Sequence, residues 1–280
     1  MKKLALLLSV AFMLCAFSFN ALAAEGDVKA FVTISDSNGE LALAMEEITV
    51  SDIDSDGVIT INDALYCAHE QKFEGGAEKG YASSETQYGI SINKLWGVDN
   101  GGSYGYYLND ASALSLADPI KSGDRISAFL YTDLNTWSDT YCYFDRSTVN
   151  VKVGAELELV LNSLGFDAEW NQIVVPVSNA TVTVNGEKTE FKTDENGRVK
   201  LALNESGRFV ISAESESCVL VPPVCIAEVA KTENEQESEN SNVVGATGDG
   251  TELIWAVILA LASFIGITAT AASKRRTNEK

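Results

Sequence analysis

The sequence predicts an α+β domain with one main helix, followed by an all-β sandwich, between two hydrophobic ends. Three observations lead to this prediction. Residues 27–146 give the order strand, strand, helix, strand, strand, strand. Residues 150–230 form short alternating runs separated by turns. Long uncharged apolar runs lie within residues 1–24 and across residues 253–272.

The N-terminal segment has the pattern of a signal peptide. Lys2 and Lys3 precede an uncharged apolar stretch over residues 4–19. Ala21 and Ala23 then supply the small side chains that signal peptidase requires, which predicts cleavage before residue 24 or 25. A retained membrane anchor is the alternative. Residues 1–24 are therefore predicted to be a signal peptide.

The C-terminal segment has the pattern of a transmembrane helix. Residues 253–272 are uncharged and are long enough to cross a hydrocarbon core about 30 Å thick. Lys274, Arg275 and Arg276 follow at once, and such positive charge places the tail, residues 273–280, in the cytoplasm. We expect a single-pass protein of the cell membrane or cell wall, with its ectodomain outside.

A short motif precedes the predicted span. The run Val-Gly-Ala-Thr-Gly over residues 244–248, with the span and basic tail, resembles the cell-wall sorting signal of Gram-positive surface proteins. Thr247 and Gly248 match the usual Leu-Pro-x-Thr-Gly motif, but Gly245 replaces the proline. The resemblance implies sortase as a partner. Simple membrane anchoring is the alternative.

The charge of the extracellular portion restricts its partners. Residues 25–252 contain 39 acidic and 14 basic residues, a net charge of −25. Such a surface repels nucleic acid and attracts multivalent cations. Residues 231–252 are rich in Glu, Asn and Ser, which predicts a disordered acidic linker.

The first domain, residues 27–146, contains a helix predicted over residues 63–72 and capped by Asn62 or Asp63. Strands are predicted on either side of that helix, over residues 28–35, 41–50, 89–98, 103–109 and 125–132. Segments 92–97, 104–109 and 122–126 resemble the C-terminal β-domain of transcobalamin and intrinsic factor.

That resemblance implies a β-grasp-like fold and a corrinoid as ligand. The candidate ligand-binding residues are aromatic: Trp96, Tyr104, Tyr106 and Tyr107. Strand alternation places Tyr107 on the opposite face from Tyr104 and Tyr106. The competing interpretation is that these aromatic residues pack in the core.

The second domain, residues 150–230, repeats short strands and turns. The segments over residues 180–186, 193–203 and 207–213 resemble the carboxypeptidase regulatory-like or bacterial immunoglobulin-like sandwich. The resemblance implies a spacer or a ligand-presenting module.

A candidate calcium loop spans residues 52–63. Carboxylates at alternating positions, a glycine at position 6 and an acid at position 12 match the calcium-loop template. The loop resembles that of EF-hands and dockerin modules, which implies calcium as the cofactor. The alternative is an acidic turn before a helix cap. The predicted ligands are Asp52, Asp54, Asp56, Val58, Thr60 and Asp63.

The cysteine and histidine residues predict the disulfide pairing and bear on whether the protein is an enzyme. Cys218 and Cys225 flank two prolines, which predicts a disulfide; buried free thiols are the alternative. His69 is the only histidine, and the sequence contains no phosphate loop or zinc cluster. We expect no enzyme, with a glycosidase using paired acids as the least favoured alternative.

These features predict a cell-surface extracellular binding or adhesion protein, stabilised by calcium. Capture of a small ligand such as a corrinoid by the first domain is the alternative function. The sequence does not identify the extracellular partner.

Overall fold

The computed structural model describes residues 26–169 and 171–231 of the 280-residue chain. Helices are α1, Ile61–Lys72, and α2, Gly76–Gly80. The strands are β1 (Val28–Ser35), β2 (Leu41–Val50), β3 (Ala82–Thr86), β4 (Gly89–Lys94), β5 (Tyr104–Leu108), β6 (Ala111–Ser112), β7 (Arg125–Leu130), β8 (Thr140–Phe144), β9 (Thr148–Lys152), β10 (Glu156–Phe166), β11 (Gln172–Pro176), β12 (Thr181–Val184), β13 (Glu187–Lys192), β14 (Arg198–Ala202), β15 (Gly207–Glu214), β16 (Leu220–Val221) and β17 (Cys225–Ala230).

The predicted α+β class is wrong, because the described part of the chain is mostly β. Its helices have only 12 and 5 residues, whereas its strands form three five-stranded sheets and a two-stranded one. The physical reason is that α1 covers only one face of the first sheet. The second large core is formed by two sheets that pack on each other. No helix within residues 26–169 and 171–231 has the length and apolar character to span a membrane.

Several predictions concern segments outside the described residues. They are the signal peptide 1–24, the linker beyond Lys231, the sorting residues Thr247 and Gly248, the span 253–272 and the tail 273–280.

The first sheet has the order β2-β1-β7-β5-β6 and carries α1 on one face. Strand β1 pairs antiparallel with β2 and parallel with β7. Helix α1 buries Ile61, Leu65 and Ala68, which lie on one side of the helix at its 3.6-residue period. These side chains pack against alternate residues of β1 such as Val32 and Ile34, and together they form the first core.

The helix α1 begins two residues before the predicted start, and its N-cap lies two or three residues before the predicted one. Thr60 is the N-cap, not Asn62 or Asp63, and its hydroxyl accepts a hydrogen bond from the Asp63 N–H. Asp63 lies at the third helical position and its carboxylate accepts from the Thr60 N–H, so the two residues form a capping box.

The second core lies between two sheets that face each other. One has the order β11-β10-β8-β16 with β14 also paired to β10, and the other has the order β13-β12-β15-β17-β9. Leu159 and Leu161 of β10 meet Val182, Ile211 and Ala227 of the facing sheet in this core. Each strand thus buries alternate residues on one face, as in a sandwich.

Strand β8 joins the two halves of the fold. It pairs with β10 and β16, so it belongs to the second group of sheets although it lies within residues 27–146. Its Tyr141 enters a small third core with Phe129 and Val221. The ring of Tyr107 on β5 stacks on Tyr141 with centroids 3.6 Å apart and planes 8° apart. This contact fixes the first sheet against the second group.

Candidate functional site

The acidic loop over residues 52–63 connects β2 to α1 and is held from outside by the segment after β6. Thr60 forms a β-bridge with Pro119. The Ile61 N–H donates to the Asp118 carbonyl at 3.1 Å, and the Ile120 N–H donates to the Ile59 carbonyl at 2.9 Å. The C-terminal part of the loop therefore has a fixed backbone before the helix begins.

Three of the predicted carboxylates converge in the structure. Asp52, Asp54 and Asp63 each offer an oxygen, and these oxygens lie within 4.8 Å of one another. Asp63 is buried, Asp52 is partly buried and Asp54 is exposed, so the group opens to solvent on one side. Such a spacing allows all three oxygens to contact a single cation at 2.3–2.6 Å, the range of calcium–oxygen bonds.

Backbone amides wrap the N-terminal part of the loop around Asp52. The Ser55 N–H donates to Asp52 Oδ1 at 2.7 Å, and the Gly57 N–H donates to Asp52 Oδ2 at 2.8 Å. Gly57 has φ of +89°, a conformation that glycine adopts without the steric cost of a side chain. Gly57 is the glycine at position 6 of the calcium-loop template, and this conformation allows the sharp turn of the loop.

The side chains of two other predicted ligands, Asp56 and Thr60, make different contacts. Asp56 is outside the group of converging oxygens, and its Oδ1 accepts a hydrogen bond from the Val58 N–H at 2.8 Å. The Thr60 hydroxyl donates to Asp63 Oδ2 at 2.7 Å as part of the helix cap. The structure thus brings together three of the six predicted residues and assigns Thr60 to the cap.

The electrostatics of the loop distinguish Asp52 from Asp54. The pKa of Asp52 is lowered, chiefly because the Gly57 amide stabilises its ionised form. The Asp56 amide acts in the same direction on Asp54, but desolvation and the nearby carboxylates of Asp56 and Asp63 outweigh it, so the pKa of Asp54 is raised. Repulsion among carboxylates is what a bound cation would relieve.

The donor chemistry of the group fits calcium. All three side-chain donors are carboxylate oxygens, which calcium prefers, and no thiol or imidazole lies among them. When bound, the ion would supply positive charge that compensates the converging carboxylates. Asp52 and Asp63 would hold it on the protein side, with Asp54 on the solvent side.

The predicted aromatic ligand site is divided between two faces of the first sheet. Trp96 packs against His69 and Phe73, with ring centroids 5.2 Å away in each case. Tyr104 directs its hydroxyl to the Asn93 and Val98 carbonyls at 2.6 and 3.0 Å. These contacts hold loops in place.

The remaining two tyrosines confirm the alternation along β5. Tyr106 packs on the first core, and Tyr107 packs on the third core with Tyr141. The hydroxyl of Tyr141 donates to Asp110 Oδ1 at 3.0 Å, and Asp110 also forms an ion pair with Arg125. Burial raises the pKa of Tyr107 and of Tyr141. The packing of Tyr107 against β8 had no local signal in the sequence.

His69 lies in the first core with no exposed surface. Its Nδ1 is 2.6 Å from the Leu65 carbonyl, and its Nε2 accepts a hydrogen bond from the Trp96 N–H at 3.0 Å. These partners fix a neutral ring with the proton on Nδ1. Burial lowers the pKa of His69 to about 4. The residue acts as a hydrogen-bonded core element.

All four cysteines of the described chain are free thiols in the structure. Cys218 is exposed, whereas Cys225 is buried, so the predicted disulfide between them is not formed. The physical reason is that Cys225 begins β17 and turns its side chain into the second core. Burial raises the pKa of Cys225 to about 12, as expected for an inert core thiol.

Comparison with known proteins gives little similarity. No family model and no curated protein matches the chain. Among solved structures, it is similar to the N-terminal four Ig domains of Dscam1 isoform 4.44, with 6% identity, a TM-score of 0.22 and coverage of 38% of this chain and 23% of that chain. For Dscam1 isoform 9.44 the identity is 10%, the TM-score 0.21 and the coverage 73% of this chain and 44% of that chain. The chain spans less than half of each of these chains.

Proposed function

We propose that the protein is an extracellular binding module whose first sheet and helix are stabilised by a calcium ion in the 52–63 loop. The convergence of Asp52, Asp54 and Asp63 within 4.8 Å is the observation that carries the proposal. The loop leads directly into α1, so an ion bound there would stabilise the end of β2 and the first turn of the helix together.

The charge of the chain supports an extracellular role. The net charge of −20 keeps the surface well solvated and concentrates multivalent cations near it. Calcium is abundant outside cells, so even an affinity of about 10⁻⁴ M gives occupancy there. The apolar segments at residues 4–19 and 253–272 add support for export and anchoring.

Melting curves with calcium, magnesium and a chelator test the proposed site. Binding to the native state stabilises it by mass action, by about 2.7 kcal/mol when calcium is at 100 times its Kd. Asp54→Asn removes one charge at an exposed position with little change in shape, and we expect it to abolish the calcium-dependent rise in Tm.

Asp36→Asn is the matched control for that variant. Asp36 also accepts backbone hydrogen bonds in an exposed turn, from the Asn38 and Glu40 N–H groups, but it lies outside the acidic loop. The Asp36→Asn variant should keep the full calcium-dependent rise in Tm. A wild-type Tm that is the same in calcium and chelator would contradict the proposed site, and the aspartates would then serve only the turn and the cap.

The proposed location has its own test. External protease applied to intact cells should degrade the portion from residue 25 to about residue 252, and the remaining fragment should stay with the membrane or wall fraction. Cells broken before digestion provide the control for protease activity. Recovery of the intact chain in the cytosolic fraction would contradict an extracellular role.

A further inference from the structure

Strand β11 is an exposed sheet edge that carries no charge. In the described part of the chain it pairs only with β10, through five residues from Gln172 to Pro176. Ile173, Val174 and Val175 are 40%, 58% and 39% exposed. A strand of this kind leaves unpaired backbone groups beside apolar side chains, which makes it a template for pairing with another strand.

The other sheet edges of the described chain are protected. Strands β6 and β16 have only two residues each. Every longer edge strand has charged side chains, which discourage pairing. These strands are β2 with Glu46 and Glu47, β3 with Glu85, β4 with Lys94, β9 with Lys152, β13 with Glu187, Lys188, Glu190 and Lys192, and β14 with Arg198 and Lys200. Among the described strands that end a sheet and are longer than two residues, β11 is thus the one without a charged side chain.

The free side of β11 offers a short, defined set of hydrogen-bonding groups. The Val177 N–H donates to the Leu161 carbonyl of β10 at 2.9 Å. Because the direction of backbone bonds alternates along a strand, Gln172 and Val174 direct their N–H and C=O groups away from β10. Pro176 has no N–H, so it ends the pairing edge. An added strand would bond to two residues and to the Pro176 carbonyl.

Acidic turns lie at both ends of this edge. Asp167 and Glu169 belong to the turn that precedes β11, and hydrogen bonds from Asn171 lower the pKa of Asp167, which keeps it ionised. At the other end Gly197 lies against Pro176, in the turn that contains Asp194 and Glu195. Arg198 and Lys200 follow that turn on β14, and both are already paired with glutamates of β10.

This charge pattern determines which partner fits. Antiparallel pairing of two copies through β11 would set the acidic turns of one copy beside those of the other, and like charges so placed repel. A strand from another protein with apolar residues at its centre and basic residues at both ends meets opposite charge at each end. The net charge of −20 adds long-range attraction for such a partner.

We propose that β11 is a docking edge for an extended peptide segment of a partner protein, apolar at its centre and basic at both ends, which adds as a further strand. The proposal names the surface and partner class of the proposed binding function, and it rests on that function. It does not depend on calcium, because β11 belongs to the second group of sheets and the acidic loop to the first.

Isothermal titration calorimetry with three synthetic peptides tests the proposal on the full chain. The probe has the sequence Lys-Arg-Thr-Val-Thr-Val-Thr-Lys-Arg. The second peptide replaces Lys and Arg by Glu. The third keeps the charges but carries N-methyl groups on alternate central residues, which removes the N–H groups needed for pairing. We expect the probe to bind about tenfold or more tightly than either control, and more weakly as salt increases.

Two variants with the same charge change locate the site. Val174→Lys places a charge on the edge and should abolish probe binding. Leu114→Lys adds the same charge at a residue that is 90% exposed and outside β11, and it should bind the probe like wild type. Both variants should keep the calcium-dependent rise in Tm, which separates failure of this edge from failure of the calcium site.

Four results would overturn the proposal. Equal binding of the probe and the N-methylated peptide would show attraction by charge without strand pairing. Equal loss of binding in both variants, or no binding by wild type, would exclude this edge as the peptide site. A dimer of wild type in sedimentation velocity that Val174→Lys converts to a monomer would show that a second copy, not a basic peptide, occupies the edge.

Discussion

Acidification should destabilise the protein through its single histidine. His69 has no exposed surface, and both ring nitrogens already have partners in the Leu65 carbonyl and the Trp96 N–H. Protonation puts a hydrogen on Nε2, where the Trp96 N–H now donates. It would also bury a positive charge beside Tyr81, whose ring centroid is 5.1 Å away. The folded state therefore resists protonation.

The size and direction of the effect follow from the pKa difference. The pKa of His69 falls from 6.5 in the unfolded chain to about 4 in the folded protein. The unfolded state thus binds the proton first, and the free energy of unfolding decreases as pH falls from about 6.5 to about 4. At about 1.4 kcal/mol per pKa unit the total loss is about 3 kcal/mol, a large part of the stability of a typical domain. Above pH 6.5 the contribution is zero.

Two measurements check this effect on protein without a histidine tag. The ring resonances of the sole histidine should titrate near pH 4 in NMR spectra of the folded state. Urea unfolding between pH 7 and pH 4.5 should show a smaller loss of stability for His69→Gln than for wild type, whatever the absolute stability of the variant. A histidine that titrates near 6.5, or equal losses in both proteins, would refute the reasoning.

Two further pairs of variants test packing and hydrogen bonding by urea unfolding. Gly197→Ala should lower the free energy of unfolding by more than about 2 kcal/mol, because φ is +72° and a Cβ would lie 2.4 Å from a β10 carbonyl oxygen. Gly186→Ala should lower it by about 1 kcal/mol, because φ is +82° but the space around the residue is open. Similar losses in both would contradict the clash. Tyr141→Phe should cost about 1.5–3 kcal/mol, because the partly buried hydrogen bond to Asp110 is lost, and Tyr143→Phe should be nearly neutral. Equal effects would show that the bond contributes nothing.

Local sequence patterns were sufficient to predict the helix α1 and part of the acidic loop over residues 52–63. The apolar residues of α1 repeat at helical spacing, and the helix begins two residues before its predicted start. The alternating aspartates predicted a group of carboxylates, and Asp52, Asp54 and Asp63 form one. Asp56 does not join it, and its carboxylate accepts a hydrogen bond from the Val58 amide. A sequence template does not specify which carboxylates converge.

Longer-range features could not be predicted from one sequence. The α+β class gave weight to a single helix. A sandwich was predicted for residues 150–230, but its sheets also include β8 from the first predicted domain and depend on pairing between distant strands, such as β9 with β17. Tyr107 and Tyr141 are separated by 34 positions, and neither has a local signal for stacking. Strand β11 was not among the predicted strands, since its short uniform run of Ile173 to Val175 lacks alternation.

The position of β17 has a mechanical consequence. This strand lies within its sheet, and each of its neighbours, β9 and β15, shares five residue pairs with it. A pulling force applied to the chain after Ala230 would act along the strand axis and load both ladders in shear. The ladders would then resist together, whereas a strand peeled from an edge yields one pair at a time. The described fold is thus suited to bear tension delivered from its C-terminal side.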